Sequence, residues 1–161
     1  MRELTQTLTI AAPAASVLEA FFDADALASW WQARRSLCTP RMLGCYAVEW
    51  ASPGSRDELL GPLGGVFHGT IVDFIPGREV LVADAYWLPT VGDPIGPMAL
   101  EIRCTGGETG TVLSLRQSGW DNDPRWTRYY EILERSLPTS LGELKRYLEA
   151  LHAPPGLTTQ A

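Results

Sequence analysis

His68 stands inside the apolar run "VFHGTIVDFI" and is one of only two histidines in the chain. Imidazole is the side chain that ordinarily titrates near neutrality, which suits a general base or a group that orients a ligand. Equally, a strand histidine can simply face solvent. Asp73 and Asp84 also interrupt apolar strands, where an unpaired carboxylate is costly to bury. Arg103 and Arg116 are the expected partners, in structural ion pairs at the sheet surface, with a catalytic role as the alternative. Ser114 and Ser118 have no neighbour that would activate a hydroxyl, and neither a nucleophile elbow nor a phosphate loop is present. Cys38, Cys45 and Cys104 make an odd count at spacings of seven and fifty-nine, with no CxxC pair. That pattern points to reduced thiols in a cytoplasmic protein rather than to a disulfide framework or a zinc site. No metal and no other cofactor is implied.

The other concentration of usable chemistry is aromatic. The stretch "SGWDNDPRWTRYY" places Trp120, Trp126, Tyr129 and Tyr130 within eleven positions, in a chain with fifteen aromatic residues. Buried indole and phenol groups need hydrogen-bond partners. Such rings suit a pocket wall that must be apolar yet offer a few polar contacts, and they also suit the end of a helix at the rim of a sheet.

The elements that position these residues follow from periodicity. Leu4, Gln6, Leu8 and Ile10 alternate with polar residues, which predicts a strand. Pro13 then opens a helix at its first position, with Val17, Leu18, Phe21 and Phe22 at helical spacing. "DADALASWW" predicts a second short helix capped by Asp25, with Leu27, Trp30 and Trp31 on its buried side. The period then changes to two. Tyr46, Val48 and Trp50 share one face of a strand, and a long Gly/Pro/Ser-rich loop follows from Ser52 to Gly65. "VFHGTIVDFI" and "EVLVADAYWL" are strands joined by a turn at Pro76-Gly77. "MALEIRC" and "TVLSLRQS" are strands joined by the Gly-rich hairpin "TGGETG". Asp123-Pro124 starts a terminal helix whose stripe is Trp126, Tyr130, Leu133, Leu137, Leu141, Leu144, Leu148 and Leu151, with Tyr129 at its edge. Pro138 falls inside that pattern. It predicts two helical pieces with a bend at residues 136–140, the second capped by Ser140 and Glu143. One domain over residues 1–152 and a frayed tail at 153–161 complete the expectation.

Short connections between strands predict an antiparallel sheet, and helices segregated to one face of it make an α+β fold. With a net charge of −6, and basic residues in isolated pairs such as Arg34-Arg35 and Lys145-Arg146, nucleic acid is not an expected partner. No apolar run approaches the roughly 20 residues of a membrane span, so membrane insertion is not expected. Oligomeric state is left open, a homodimer included.

The order of elements and four motifs resemble the START/Bet v 1-like (SRPBCC) superfamily, in its branch of activator-of-chaperone-ATPase homologues (AHSA-type). The motifs are "LTIAAPAASVLEAFFDADALASWW", "GTIVDFIPGREVLVADAYW", "GTVLSLRQSGW" and "LGELKRYLEAL", and together they span nearly the whole chain. The resemblance implies a helix-grip fold: a curved antiparallel sheet wrapped around a long C-terminal helix, here kinked by Pro138, with a cavity between them. It also implies that the cavity takes a hydrophobic small molecule. In that arrangement Tyr46, Val48, Trp50, Met98, Leu100, Ile102, Leu113, Leu115 and Gln117 point inward. Gln117 can donate and accept hydrogen bonds but cannot act as an acid or base near neutral pH. The expected site is a binding site for an apolar or aromatic molecule, walled by Trp30, Trp50, Tyr86, Trp120, Trp126 and Tyr130, with His68 and Gln117 as polar contacts. The alternatives are a co-chaperone-like interaction module and, with His68 and Asp84, a cyclase- or hydrolase-like enzyme.

Overall fold

Strand β1 (Glu3–Ile10) opens the fold of the computed structural model, which describes residues 2–153. Apart from its first residue, the tail expected at 153–161 lies outside the described residues. Helix α1 (Ala14–Glu19) follows Pro13, whose extended backbone makes it the N-cap rather than the first helical residue, so the helix begins one residue later than expected. Helix α2 (Ala24–Trp30) is capped by Asp23, whose carboxylate accepts from the Ala26 N–H at 2.9 Å. Asp25 was the expected cap. It sits in the first turn instead: Asp23 has the extended backbone of an N-cap, and Asp25 is already helical, a place where a carboxylate favours the helix dipole without capping it.

Strands β2 (Arg35–Cys38) and β3 (Cys45–Trp50) come next, and β2 is a strand that residue periodicity did not predict. The excursion after β3 contains a two-residue ribbon, β4 (Arg56–Asp57) against β5 (Gly61–Pro62). Strands β6 (Gly65–Ile75), β7 (Glu79–Leu88), β8 (Ile95–Gly106) and β9 (Thr111–Ser118) complete the sheet. Its seven strands run in the order β1-β9-β8-β7-β6-β3-β2, with every neighbouring pair antiparallel. The Pro76-Gly77 turn forms as predicted, with Gly77 at φ +71° and the Arg78 N–H donating to the Ile75 carbonyl at 3.0 Å.

Helix α3 (Pro124–Leu151) is capped by the Asp123 carboxylate, which accepts from the Arg125 N–H at 2.8 Å. It runs for 28 residues without a break, straight through Pro138. The two-piece helix expected there does not form, and Ser140 and Glu143 are interior helical residues rather than a capping box. Pro138 is exposed, whereas Leu137, Leu141, Leu144 and Leu148 are buried. A proline costs an exposed helix about 3 kcal/mol. Each buried leucine returns about 1.5–3 kcal/mol, so the packed stripe carries the helix across the fault.

The core lies between the sheet and the helices. Tyr46, Val48, Met98, Leu100, Ile102, Leu113, Leu115 and Gln117 are all buried, and Trp50 is half-buried on the same phase of its strand. The inward phase expected for these strands is the one observed.

Candidate functional site

Toward the β3 end of the sheet, the space under α3 is not filled. A cavity of about 270 Å3 opens there, continuous in its lining with a smaller, more enclosed chamber of about 50 Å3. The walls come from four places. Trp31 at the end of α2 and Trp50 at the end of β3 form one side. Phe67 of β6 and Trp87 of β7 form the sheet floor. Tyr129, Ile132, Leu133 and Ser136 of α3 form the roof. Leu60, Leu63 and Gly64, from the excursion between β3 and β6, close over the mouth with Ala51 and Pro53.

The Trp50 and Trp87 rings are fixed by hydrogen bonds from their indole N–H groups. The Trp50 indole N–H donates to the Trp31 carbonyl at 3.0 Å, and the Trp87 indole N–H donates to the Gly64 carbonyl at 2.8 Å. Trp31 and Trp50 meet edge to face at 5.1 Å, and Trp87 stacks on Tyr129 at 5.5 Å. The Trp50 and Trp87 N–H groups and the Tyr129 hydroxyl are satisfied, so these rings offer the cavity mainly apolar surface. Gly65 lets the excursion rejoin the sheet this closely: its φ is +99°, and a Cβ there would sit 2.2 Å from the Leu88 carbonyl oxygen.

The excursion is tied to α3 by one buried carboxylate. Asp57, whose side chain is 7% exposed, accepts from the Leu59 and Leu60 N–H groups at 3.0 Å each and from the Arg128 guanidinium at 2.7 Å. Burial alone would raise the Asp57 carboxyl, but Arg128 and the two N–H groups outweigh it and hold the group below the usual aspartate value.

The inner chamber ends on a polar pair. The Gln117 amide donates to the Tyr129 hydroxyl at 3.0 Å and lies 3.2 Å from the Met98 sulfur. Burial pushes the Tyr129 phenol well up, against the hydrogen bond from Gln117, which lowers it. The pair is therefore neutral, and it can exchange hydrogen bonds with a ligand without carrying charge.

The expected site residues fall in different places. Trp50 and Gln117 line the cavity, at its mouth and at its inner end. Trp30 is buried behind it, stacked on Trp31 at 4.6 Å with its N–H donated to the Ala20 carbonyl; its neighbour Trp31 is the one that reaches the space. Trp126 is buried at the start of α3 without lining the cavity. Tyr130 is fully buried, its hydroxyl donates to the Gly119 carbonyl at 2.6 Å, and Arg2 lies over its ring at 5.4 Å. One position away, Tyr129 takes the cavity place. Trp120 is 43% exposed and outside the cavity.

His68 and Tyr86 lie on the opposite face of the sheet, paired across β6 and β7 and stacked at 6.1 Å. For His68 this follows from the alternation of β6, in which Phe67, Gly69 and Ile71 are the buried set. For Tyr86 the cause is a bulge. Val80 and Val82 point inward, then the register slips at Asp84, which has φ +50°, and the inward residues become Ala85 and Trp87. Asp84 is exposed in that bulge. The two arginines expected to pair with Asp73 and Asp84 pair elsewhere: Arg103 with Glu101 at 3.3 Å, and Arg116 with Glu101 at 3.4 Å and Glu3 at 4.0 Å. Asp73 instead lies near Glu79 and raises that carboxyl above its usual value.

The cavity residues missed in the sequence include Phe67, Trp87, Ile132 and the excursion leucines. Ile132 stands next to Leu133 on the helix, and Phe67 carries the inward phase of β6, so both could have been found from periodicity. Trp87 could not without the bulge. Among the described residues, no three His, Cys, Asp or Glu side chains gather as a metal site, and no helix is long and apolar enough to cross a membrane.

Compared by sequence, no family model and no curated protein matches the chain. Compared by structure, the likeness is broad. A protein from Mesorhizobium loti aligns with a TM-score of 0.68 at 19% identity, covering 92% of this chain and 98% of its own. One from Chromobacterium violaceum aligns at 0.65 and 22%, covering 92% and 99%. The Aha1 dimer from Colwellia psychrerythraea aligns at 0.60 and 18%, covering 92% and 97%. At these identities the likeness shows the fold and nothing finer: this chain has a helix-grip-like α+β fold.

Proposed function

We propose that the chain binds a small apolar or aromatic molecule in the cavity between the sheet and α3. The observation that carries this is an open space of about 270 Å3 walled by Trp31, Trp50, Phe67, Trp87, Ile132 and Leu133. Protein interiors otherwise pack at crystal-like density. Small-molecule sites run roughly from 300 to 1,000 Å3, so this one suits a ring system better than a long acyl chain. Gln117 and Tyr129 at the inner end supply one neutral polar contact point. Of the expected ligand-binding residues, Trp50 and Gln117 carry the proposal forward, joined by Trp31, Phe67, Trp87 and Tyr129. His68 and Asp84 lie away from the cavity, so the enzyme alternative gains no support from them.

Native mass spectrometry of freshly purified protein tests the proposal. A retained small molecule, or saturable one-to-one uptake of a naphthalene-sized compound with quenching of tryptophan fluorescence, is the expected result. A protein that takes up no apolar compound contradicts it.

A second reading, an interaction module of the AHSA type and cytoplasmic like the chaperone activators, has one observation in its favour. Leu37, Met42 and Leu43 are 65%, 55% and 77% exposed on the β2–β3 hairpin, at the edge of the sheet. A similar solved protein carries the description of an Aha1 dimer. If this edge mediates a homodimer, sedimentation shows a concentration-dependent dimer that Leu43→Ser abolishes; a monomer at all concentrations removes the homodimer.

A further inference from the structure

Beside the mouth of the cavity lies a groove of about 370 Å3 that shares Leu63, Ile132 and Ser136 with it. Its remaining lining is charged: Arg56 from β4, Arg128 and Arg135 from α3, and Asp57. On α3, Arg128, Ile132, Arg135 and Ser136 fall at i, i+4, i+7 and i+8, so the cations and the cavity roof share one face of the helix.

The balance of charge in the groove is uneven. Asp57 is consumed by Arg128 and two backbone N–H groups, and Glu131 also engages Arg128, at 3.1 Å. Among the described residues, neither Arg56 nor Arg135 forms an ion pair; Arg135 makes only a long hydrogen bond, 3.4 Å, to the Glu131 carbonyl. Three of the thirteen basic residues of a chain with net charge −6 thus gather at one apolar opening, two of them without an anionic partner. Arginine presents a planar fork that fits carboxylate and phosphate oxygens.

We infer that the ligand is an amphipathic anion. Its apolar or aromatic body occupies the cavity, and its carboxylate or phosphate head lies in the groove between Arg56 and Arg135. This rests on the cavity reading above and adds the class of head group. It also assigns the polar ends of the site: Gln117 and Tyr129 meet a neutral group at the buried end, and the arginines meet the charged end near solvent.

Three compounds with one shared body separate the outcomes: 2-naphthylacetate, 2-naphthyl phosphate and the neutral 2-naphthylacetamide, each titrated by tryptophan fluorescence at low and high salt. At least one anion is expected to bind roughly 3- to 10-fold more tightly than the amide at low salt, the scale of one or two partly exposed ion pairs. The tighter anion identifies the head. The preference is expected to shrink in high salt and in the Arg56→Gln/Arg135→Gln variant. Arg103→Gln, the same loss of charge on a strand outside the groove, is expected to leave the preference unchanged. Circular dichroism of each variant checks the fold. Equal binding of amide and anions by the wild-type protein would overturn the inference and leave the cavity reading standing. A preference that survives the double substitution, or that Arg103→Gln removes equally, overturns it too. Binding of none of the three overturns the cavity reading and this inference with it.

Discussion

Leu133→Phe asks whether the space under α3 is empty. Leu133 lines both the cavity and the inner chamber, so a larger ring there projects into the gap between them. The substitution adds about three carbons. At roughly 0.8 kcal/mol per buried CH2, complete burial would stabilise the fold by about 2 kcal/mol. Leu133 is only half-buried and the cavity is partly open, so about half of that, near 1 kcal/mol, is the expected gain. A domain of this size should gain about 2–4 °C in Tm per kcal/mol. The assay is urea unfolding followed by tryptophan fluorescence, with a thermal melt alongside, and the same variant should lose affinity for naphthalene-sized compounds. Overpacking a filled core costs about 1–3 kcal/mol. The sign therefore decides: destabilisation by 1 kcal/mol or more, with binding unchanged, would refute the claim that the space is there to be filled.

Other substitutions test the supporting parts. Tyr46 is fully buried with its hydroxyl unpartnered, so Tyr46→Phe, which keeps the ring contact with Phe22 at 5.7 Å, should stabilise the fold by about 1 kcal/mol in urea melts. Pro138→Ala restores an N–H to the interior of a continuous helix and should raise stability by about 2 kcal/mol, whereas a broken helix would show little change. Asp57→Asn removes the charge that ties the excursion to α3; it should lower Tm at neutral pH and speed proteolysis within residues 52–64. The Asp57 carboxyl is held below its ordinary value of 3.8 in the folded chain, so its contribution is complete above 3.8 and is lost as pH falls through the lower folded value. The Tm difference between wild type and Asp57→Asn should accordingly close in acid, as melts between pH 7 and pH 3 would show.

The fold was legible because its signals are local and repeated. The alternation in β1, β3, β8 and β9, the turn at Pro76-Gly77 and the Asp123-Pro124 helix start each follow from residue type and spacing, and each forms. The site was less legible, for three physical reasons. A bulge at Asp84 moves the inward phase of β7 from Tyr86 to Trp87, and no period-2 pattern reveals a one-residue slip. Between adjacent aromatic residues, Trp30 and Trp31 or Tyr129 and Tyr130, the helical angle decides which ring fills the core and which lines the space. The excursion from 52 to 64 carries Leu60 and Leu63 over the mouth by way of the Asp57–Arg128 contact, whose partners are 71 residues apart. Pro138 was misleading in the opposite sense, because a local rule for helix ends was overridden by tertiary packing of the leucine stripe.

The most direct measurement of the central claim is an NMR titration of isotope-labelled protein with 2-naphthylacetamide. Binding in the cavity predicts saturable shifts in the indole N–H resonances of Trp31, Trp50 and Trp87 and in the side-chain amide of Gln117, with His68, Tyr86 and Trp120 unmoved. Shifts confined to the outer face of the sheet or to the Leu37–Leu43 hairpin, or none at all, would contradict it.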